Sequence, residues 1–329
     1  MANIMVSSQT PIPNMIDSTA LTVANDAQSL ASLSLNKISS ALSIALAHKY
    51  GAQLLGAIGI DTPELDMRLM LAQVLNYSEL NLFLNREQLL TQVQWEELMA
   101  LLKRRLCFEP MAYLSGVKEF FGHEFHVSPD CLIPRPDTEC VVEQCLKLLA
   151  DIKEPRVFDI ATGSGAISIA LLKERADLFV VASDLSPQAL SLASHNAQKL
   201  EVLSRINLIQ GDLFEPFKKL KPSFLAHLIV SNPPYISLAD YESLSSEVKN
   251  YEPALALVAG DEQGLAFYRR LLGEAHEYLL PHGFLVLEIG FDQSHMVADL
   301  AGDFWHNITI HHDLAHRPRV ITMQKKERI

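Results

Sequence analysis

From Arg156 onward, short β-branched runs alternate with amphipathic helical stretches, and this alternation constrains the fold more than any other feature of the chain. The runs RVFDI, LFVVASD, INLIQGD, AHLIVSN and GFLVLEI are separated by segments such as SPQALSLASHNAQKL and GLAFYRRLLGEAHEYLL. Strands that alternate with helices join through crossovers, and the economical solution is a doubly wound, mostly parallel sheet with helices on both faces. The last two runs, NITIHHD and RVITMQ, leave too few residues between them for a crossover helix. They are expected to form an antiparallel pair at the sheet edge. The fold class is therefore α/β, with seven strands.

The preceding residues read differently. Thr62, Pro63 and Glu64 start a helix with apolar positions at Leu65, Met67, Leu69, Leu71 and Leu75. Thr91 precedes a second, with Leu98, Leu101, Leu102 and Leu106 at helical intervals. A small all-helical domain over 36–116 follows. The stretch EFFGHEFHVSPDCLIPRP then alternates apolar and polar residues around turn signals, which predicts a β-hairpin linker over 117–136 and a sheet domain over 137–329. Residues 1–35, rich in Ser, Thr, Asn and Ala, read as a flexible extension.

A formal charge of −12 argues against a sequence-independent grip on nucleic-acid phosphates. No run of eighteen apolar residues predicts a membrane span, and no charged n-region with an apolar stretch predicts a signal peptide. The four cysteines form no CxxC pair, and a cytoplasmic, reducing location fits. The basic runs KKLK and LKRRL read as solvated faces.

The strand ends carry the chemistry. RVFDI runs into ATGSG, so that Asp159 is followed by Ala161, Thr162, Gly163, Ser164 and Gly165 before a helix begins. Small residues let a backbone approach a nucleotide-like ligand, although a tight strand-to-helix turn would use them too. The next strand ends in Asp184, about twenty residues later, which suits a carboxylate accepting from ribose hydroxyls and suits a helix N-terminal acid as well. The third ends in GDLF, where Asp212 can meet an adenine amino group and Leu213 or Phe214 can cover the ring. Ligands of such sheets bind outside the carboxyl ends of the strands, so three polar strand ends in succession point to one adenosine. The loop lacks both GxGxxG and GK[ST], which favours an adenosine cofactor without pyrophosphate, and S-adenosyl-L-methionine is the common one.

The fourth strand leads into VSNPPYIS, Val230 to Ser237. Two prolines remove two backbone donors and fix two φ angles, so they hold a carbonyl in place. An amide nitrogen is a poor nucleophile because its lone pair is delocalised. The Asn232 side-chain oxygen and the Pro233 backbone oxygen could hold its two hydrogens and stabilise the charge that grows on nitrogen. Pro234 stiffens the turn, and Tyr235 is expected to stack on the planar group. His123, His126 and Cys131, and His311, His312 and His316, raise a metal site; their spacing does not favour one, and methyl transfer by this route needs no metal.

The order DIATGSG, ASD, GDLF and VSNPPYI, preceded by EPMAYLSG and LIPRPDTE, resembles the HemK-type protein-(glutamine-N5) methyltransferases, and most closely those acting on peptide chain release factors. The resemblance runs from about residue 36 onward. It implies a class I S-adenosylmethionine-dependent methyltransferase fold, a cofactor loop at Ala161 to Gly165, a ribose acid at Asp184, an adenine contact near Leu213 and a substrate clamp at Asn232 to Tyr235. It also implies S-adenosyl-L-homocysteine as product, and as partner the Gly-Gly-Gln loop of class 1 release factors, received with help from the helical domain. A monomer without direct nucleic-acid or membrane binding is expected.

Other readings are a ribosomal-protein glutamine methyltransferase, a DNA adenine-N6 methyltransferase, and a non-catalytic binding module. Pro136 to Glu139 favour the release-factor enzymes over the first, and the acidic charge opposes the second. Ala161 and His316 stand where the family tends to have glycine. A negative φ at Ala161, with activity retained, is expected.

Overall fold

The computed structural model describes residues 42–219 and 224–327. The extension expected over 1–35 and part of the KKLK run lie outside them. The chain divides into two compact units, with the boundary between Glu109 and Pro110.

The first unit is helical, with helices Ile44–Ala57, Pro63–Leu75, Glu79–Leu84 and Gln92–Leu106. The last begins with the local chemistry its sequence offers: the Thr91 hydroxyl accepts from Gln94 N–H while the Gln94 side chain accepts from Thr91 N–H, a capping box. Met67, Leu71, Leu75, Leu98, Leu102 and Leu106 are buried, but Leu65 and Leu69 are 38% and 40% exposed. The stripe in Pro63–Leu75 runs instead through Met67, Met70 and Leu71, because only residues three and four apart share a helix face. Asp66 and Arg105 form a buried ion pair at 2.7 Å inside this unit.

The second unit opens with the short helix Met111–Ser115 and a two-stranded hairpin, β1 (Val117–Phe120) and β2 (His123–His126). Its sheet comprises β3 (Arg156–Ile160), β4 (Phe179–Asp184), β5 (Ile206–Gln210), β6 (Ala226–Ser231), β7 (Leu279–Glu288), β8 (Trp305–His312) and β9 (Pro318–Lys325). Their order is β5-β4-β3-β6-β7-β9-β8. The first five strands are parallel, and β9 is antiparallel to both β7 and β8. This is the seven-stranded doubly wound sheet that the alternation predicts, with β9 inserted between β7 and the edge strand β8.

Alternate residues of each strand face opposite layers. Val157, Val180, Leu228 and Val286 pack on one side, against the helices Glu139–Leu149 and Ala166–Glu174. Phe158, Val181, Ile229 and Leu285 pack on the other, against the helix Ala266–Tyr278. Each large apolar side chain fully removed from water in these layers stabilises the fold by roughly 2 to 3 kcal/mol. The strand order reverses between β3 and β6, so the crevice at a switch point opens there, outside their carboxyl ends.

One backbone position corrects the sequence expectation of a negative φ, at Ala161, and a second, His316, shares its conformation. Ala161 has φ 60°, in the left-handed region, and His316 has φ 61°. Both positions therefore have the conformation that glycine adopts without cost, and the side chains there bear a Cβ penalty of about 1 to 2 kcal/mol each.

Candidate active site

The crevice holds a cavity of about 330 Å³, within the usual range for a small-molecule site. Of the residues singled out in the sequence, Ala161, Thr162, Gly163, Ser164, Asp184, Asp212, Leu213, Asn232 and Pro234 line it. Asp159, Gly165, Pro233 and Tyr235 are not among its walls.

The glycine loop is built from β3 outward. Asp159 is fully buried, and its Oδ2 accepts from the Thr162 and Ser168 hydroxyls, each at 2.6 Å. Burial pushes its carboxyl up to about 6, while the two hydroxyls and the Ser168 backbone oppose that shift. Asp159 thus fastens the loop from beneath instead of facing the cavity. Gly165, at φ 79°, lets the loop turn into the helix Ala166–Glu174; a Cβ there would meet Ile169 Cδ1 at 3.0 Å and Ala193 Cβ at 3.2 Å. Asn196, fully buried, joins this loop to the hairpin: its Nδ2 donates to Ser164 O and His126 O, and its Oδ1 accepts from His126 N–H.

Asp184 ends β4 and reaches across to the loop. Its Oδ2 accepts from Gly163 N–H at 2.8 Å and its Oδ1 from Ser186 N–H at 2.9 Å. Each oxygen retains a second lone pair for a ligand hydroxyl. Burial raises its pKa, and the backbone donors of Ser186, Gly163 and Leu185 counteract it. Leu213 is buried with φ 46°, and its carbonyl accepts from the Ser183 hydroxyl at 3.4 Å, so the third strand end is tied to the second.

Asp212 lines the cavity and has a partner that the sequence did not announce. Arg270 donates to both of its carboxylate oxygens, at 3.1 and 2.7 Å, so that carboxylate is anchored to a guanidinium on the helix Ala266–Tyr278. Phe267 of the same helix lines the cavity and supplies an aromatic wall. Neither residue was singled out in the sequence, because their partners lie more than fifty residues away along the chain.

β6 delivers the second half of the site. Ser231 is paired with Ile160 in the parallel register, and its hydroxyl donates to Ile160 O at 2.7 Å. Asn232 therefore follows directly beside the start of the glycine loop. Its Nδ2 donates to Thr138 Oγ1 at 3.4 Å, a bond that does not use its Oδ1. Tyr235 differs from expectation. Burial first, then the nearby Glu288 charge, raises its phenol well above the usual range, and its ring packs with the core on the Phe158 side. Pro234, not Tyr235, lines the cavity beside Asn232.

The segment LIPRPDTE acts as a strap. The Glu252 side chain accepts from Ile133 N–H at 3.1 Å and from the Arg135 guanidinium. Asp137 pairs with Arg319 at 3.0 Å, and Glu139 accepts from Phe121 N–H at 2.9 Å. Thr138 meets Asn232. Cys131 lies against the cavity with its thiol pushed up to about 12, by burial and then by Asp184 and Asp130, so it stays neutral. Among the described residues no group of three or more His, Cys, Asp or Glu could hold a metal ion.

Comparison with known proteins agrees in order and extent. A family model for the PrmC N-terminal domain matches residues 47–116, and one for a methyltransferase small domain matches 141–247. A release factor glutamine methyltransferase of Nitratidesulfovibrio vulgaris is 38% identical over 276 residues, covering 83% of this chain and 92% of the relative. One of Geobacter sulfurreducens is 39% identical over 239 residues, covering 73% and 81%. A bifunctional methyltransferase of Rickettsia typhi is 37% identical over 286 residues, and the chain spans 54% of its length. With identity sustained across both units and nearly the whole of the first relative, the chain belongs to the release factor glutamine methyltransferase family.

Proposed function

We propose that this protein transfers a methyl group from S-adenosyl-L-methionine to the N5 side-chain nitrogen of the glutamine in the Gly-Gly-Gln loop of class 1 peptide chain release factors. One observation carries the reading: the loop Ala161 to Gly165 and the segment Asn232 to Pro234 leave adjacent parallel strands, Ile160 beside Ser231, at the sheet's switch point. A cofactor site and an amide clamp then share one crevice.

The residues present fit the cofactor. Asp184 has acceptor capacity for ribose hydroxyls, Leu213 and Phe267 offer apolar surface to an adenine, and the glycine loop admits close backbone approach. S-adenosyl-L-methionine, when bound, supplies an electrophilic methyl on a sulfonium. Everything else falls to the chain. Asn232 Oδ1 and the Pro233 carbonyl accept the two hydrogens of the substrate amide, aim its lone pair, and stabilise the positive charge that develops on nitrogen. The methylated nitrogen is acidic enough to release a proton without a tuned base. Pro234, which lines the cavity, is assigned here the walling of the planar amide that the sequence suggests for Tyr235.

Cytoplasmic location agrees with a translation-factor substrate, and among the described residues no helix is long and apolar enough to cross a membrane. The test is incubation with labelled S-adenosyl-L-methionine and a class 1 release factor, with and without Gln→Ala in its Gly-Gly-Gln loop. Label is expected on the first substrate and absent from the second. Equal labelling of both would refute the assigned acceptor.

A further inference from the structure

The charged walls of the cavity are unequal. Asp130, Asp184 and Asp212 are acids, and Arg135 is the only lysine or arginine among the described residues that line it. S-adenosyl-L-methionine carries a single carboxylate, on its amino-acid tail. Acidic walls repel that group, so a cation is needed where the tail lies.

The glycine loop does not meet this need alone. Backbone N–H groups at a strand-to-helix turn commonly receive an anion. Here Thr162 N–H donates to Ser183 O at 2.9 Å, Gly163 N–H to Asp184 Oδ2 at 2.8 Å, and Gly165 N–H to Thr162 O at 3.0 Å. Those three donors are engaged within the fold, and a carboxylate must draw on others.

The strap supplies them. At one end Cys131 lies beside the loop, its Sγ 3.9 Å from where a Cβ on Gly163 would stand. At the other, Thr138 accepts from Asn232 Nδ2 at 3.4 Å. Between these ends stands Pro134-Arg135-Pro136, in which the prolines fix the backbone on both sides of the arginine. Arg135 has φ −100° and ψ 142°, the extended conformation that a following proline imposes. Its side chain is fixed in turn by Glu252, which is buried and accepts from Ile133 N–H at 3.1 Å and from Arg135 Nη2. A guanidinium has five N–H donors in a planar fork, so the bond to Glu252 leaves donors for a second carboxylate. The Arg135 side chain is 37% exposed where that of Glu252 is 1% exposed, so a ligand in the cavity can reach the arginine and not the acid that holds it.

We propose that Arg135 is the specificity-determining residue for the amino-acid end of the cofactor, donating to its carboxylate while Glu252 holds the guanidinium in place. The proposal rests on the reading of this crevice as an S-adenosyl-L-methionine site. With adenine assigned to the end of β5, ribose to the end of β4 and the reacting methyl to Asn232 after β6, the tail falls under the strap that crosses from the loop to the clamp.

The test is calorimetric titration of the full chain with S-adenosyl-L-methionine and with its decarboxylated analogue, which keeps the adenosine, the sulfonium and the amine. Wild type is expected to prefer the carboxylated form on the order of 10- to 100-fold, the effect of a charge-assisted hydrogen bond. R135Q is expected to bind S-adenosyl-L-methionine more weakly by a similar factor and the analogue within about threefold of wild type, so that the preference disappears. R135K, which keeps the charge and loses the fork, is expected to retain part of it. R135Q leaves Glu252 buried without its ion partner; if that variant does not fold, R135Q combined with E252Q removes both charges and is expected to lose the preference in the same way. A wild-type preference that survives in R135Q or in the double variant, or a wild type that binds the two ligands equally, overturns the proposal. The two levels separate cleanly: a wild type that binds neither ligand refutes the cofactor site itself, whereas binding of S-adenosyl-L-methionine without discrimination refutes only the role of Arg135.

Discussion

Ala161 has the backbone conformation least suited to its side chain within the glycine loop. At φ 60° its Cβ is crowded against the following carbonyl, yet the neighbouring bonds, Thr162 N–H to Ser183 O at 2.9 Å and Gly165 N–H to Thr162 O at 3.0 Å, hold it there. At an ordinary negative φ, Ala→Gly loses about 0.5 to 1 kcal/mol through chain entropy. At Ala161 that loss is offset by relief of the Cβ, so A161G is expected to be as stable as wild type or more so in urea unfolding. A loss near 1 kcal/mol would contradict the left-handed assignment. The residue types at the strand ends were legible because backbone approach and acceptor chemistry restrict them to a few choices. Their partners were not: nothing local to Asp212 announces Arg270, and nothing in NPPY says that the Tyr235 ring leaves the cavity for the core.

At the scale of elements, the NPPY turn is held by the segment that follows β7 as much as by its prolines. Gln293, just before the helix Ser294–Asp299, donates from Nε2 to Tyr235 O at 2.9 Å and to Gln263 O at 3.1 Å, while its Oε1 accepts from Gly290 N–H. Gly264 sits in the same knot at φ 71°, and a Cβ there would stand 2.1 Å from Tyr235 O. G264A must displace the turn that carries Asn232, and turnover is expected to fall on the order of 100-fold with cofactor affinity nearly unchanged. Gly260 supplies the control: its φ is 86°, but a Cβ would meet nothing within 4 Å. G260A therefore bears only the backbone cost, about 1 kcal/mol, and is expected to keep its turnover. Steady-state kinetics with calorimetric cofactor titration checks both, and equal turnover in the two variants would refute the role of this knot. The strands and helices were legible from their periods of two and 3.6 residues. The knot was not, because glycine and glutamine in a loop carry no pattern that names their contacts.

At the scale of the molecule, two units of different physics share one chain. The helical unit closes on its own apolar stripe and a buried Asp66–Arg105 pair, and the sheet unit closes on two layers of alternate strand residues. The topology of the second was foreseeable because parallel crossovers are strongly restricted in hand and order, and the switch point follows from that order. The position of β9 between β7 and β8 was legible only as an antiparallel pair, since hydrophobic alternation fixes faces and not neighbours. The central claim is that the Asn232 carboxamide aligns the acceptor nitrogen within a crevice that also holds the cofactor. It is tested most directly by single-turnover methyl transfer to a release factor with N232A and wild type, each saturated with cofactor and the binding constant measured in parallel. The account predicts that transfer is lost in N232A while cofactor affinity stays within about tenfold. Transfer at the wild-type rate in N232A would contradict it.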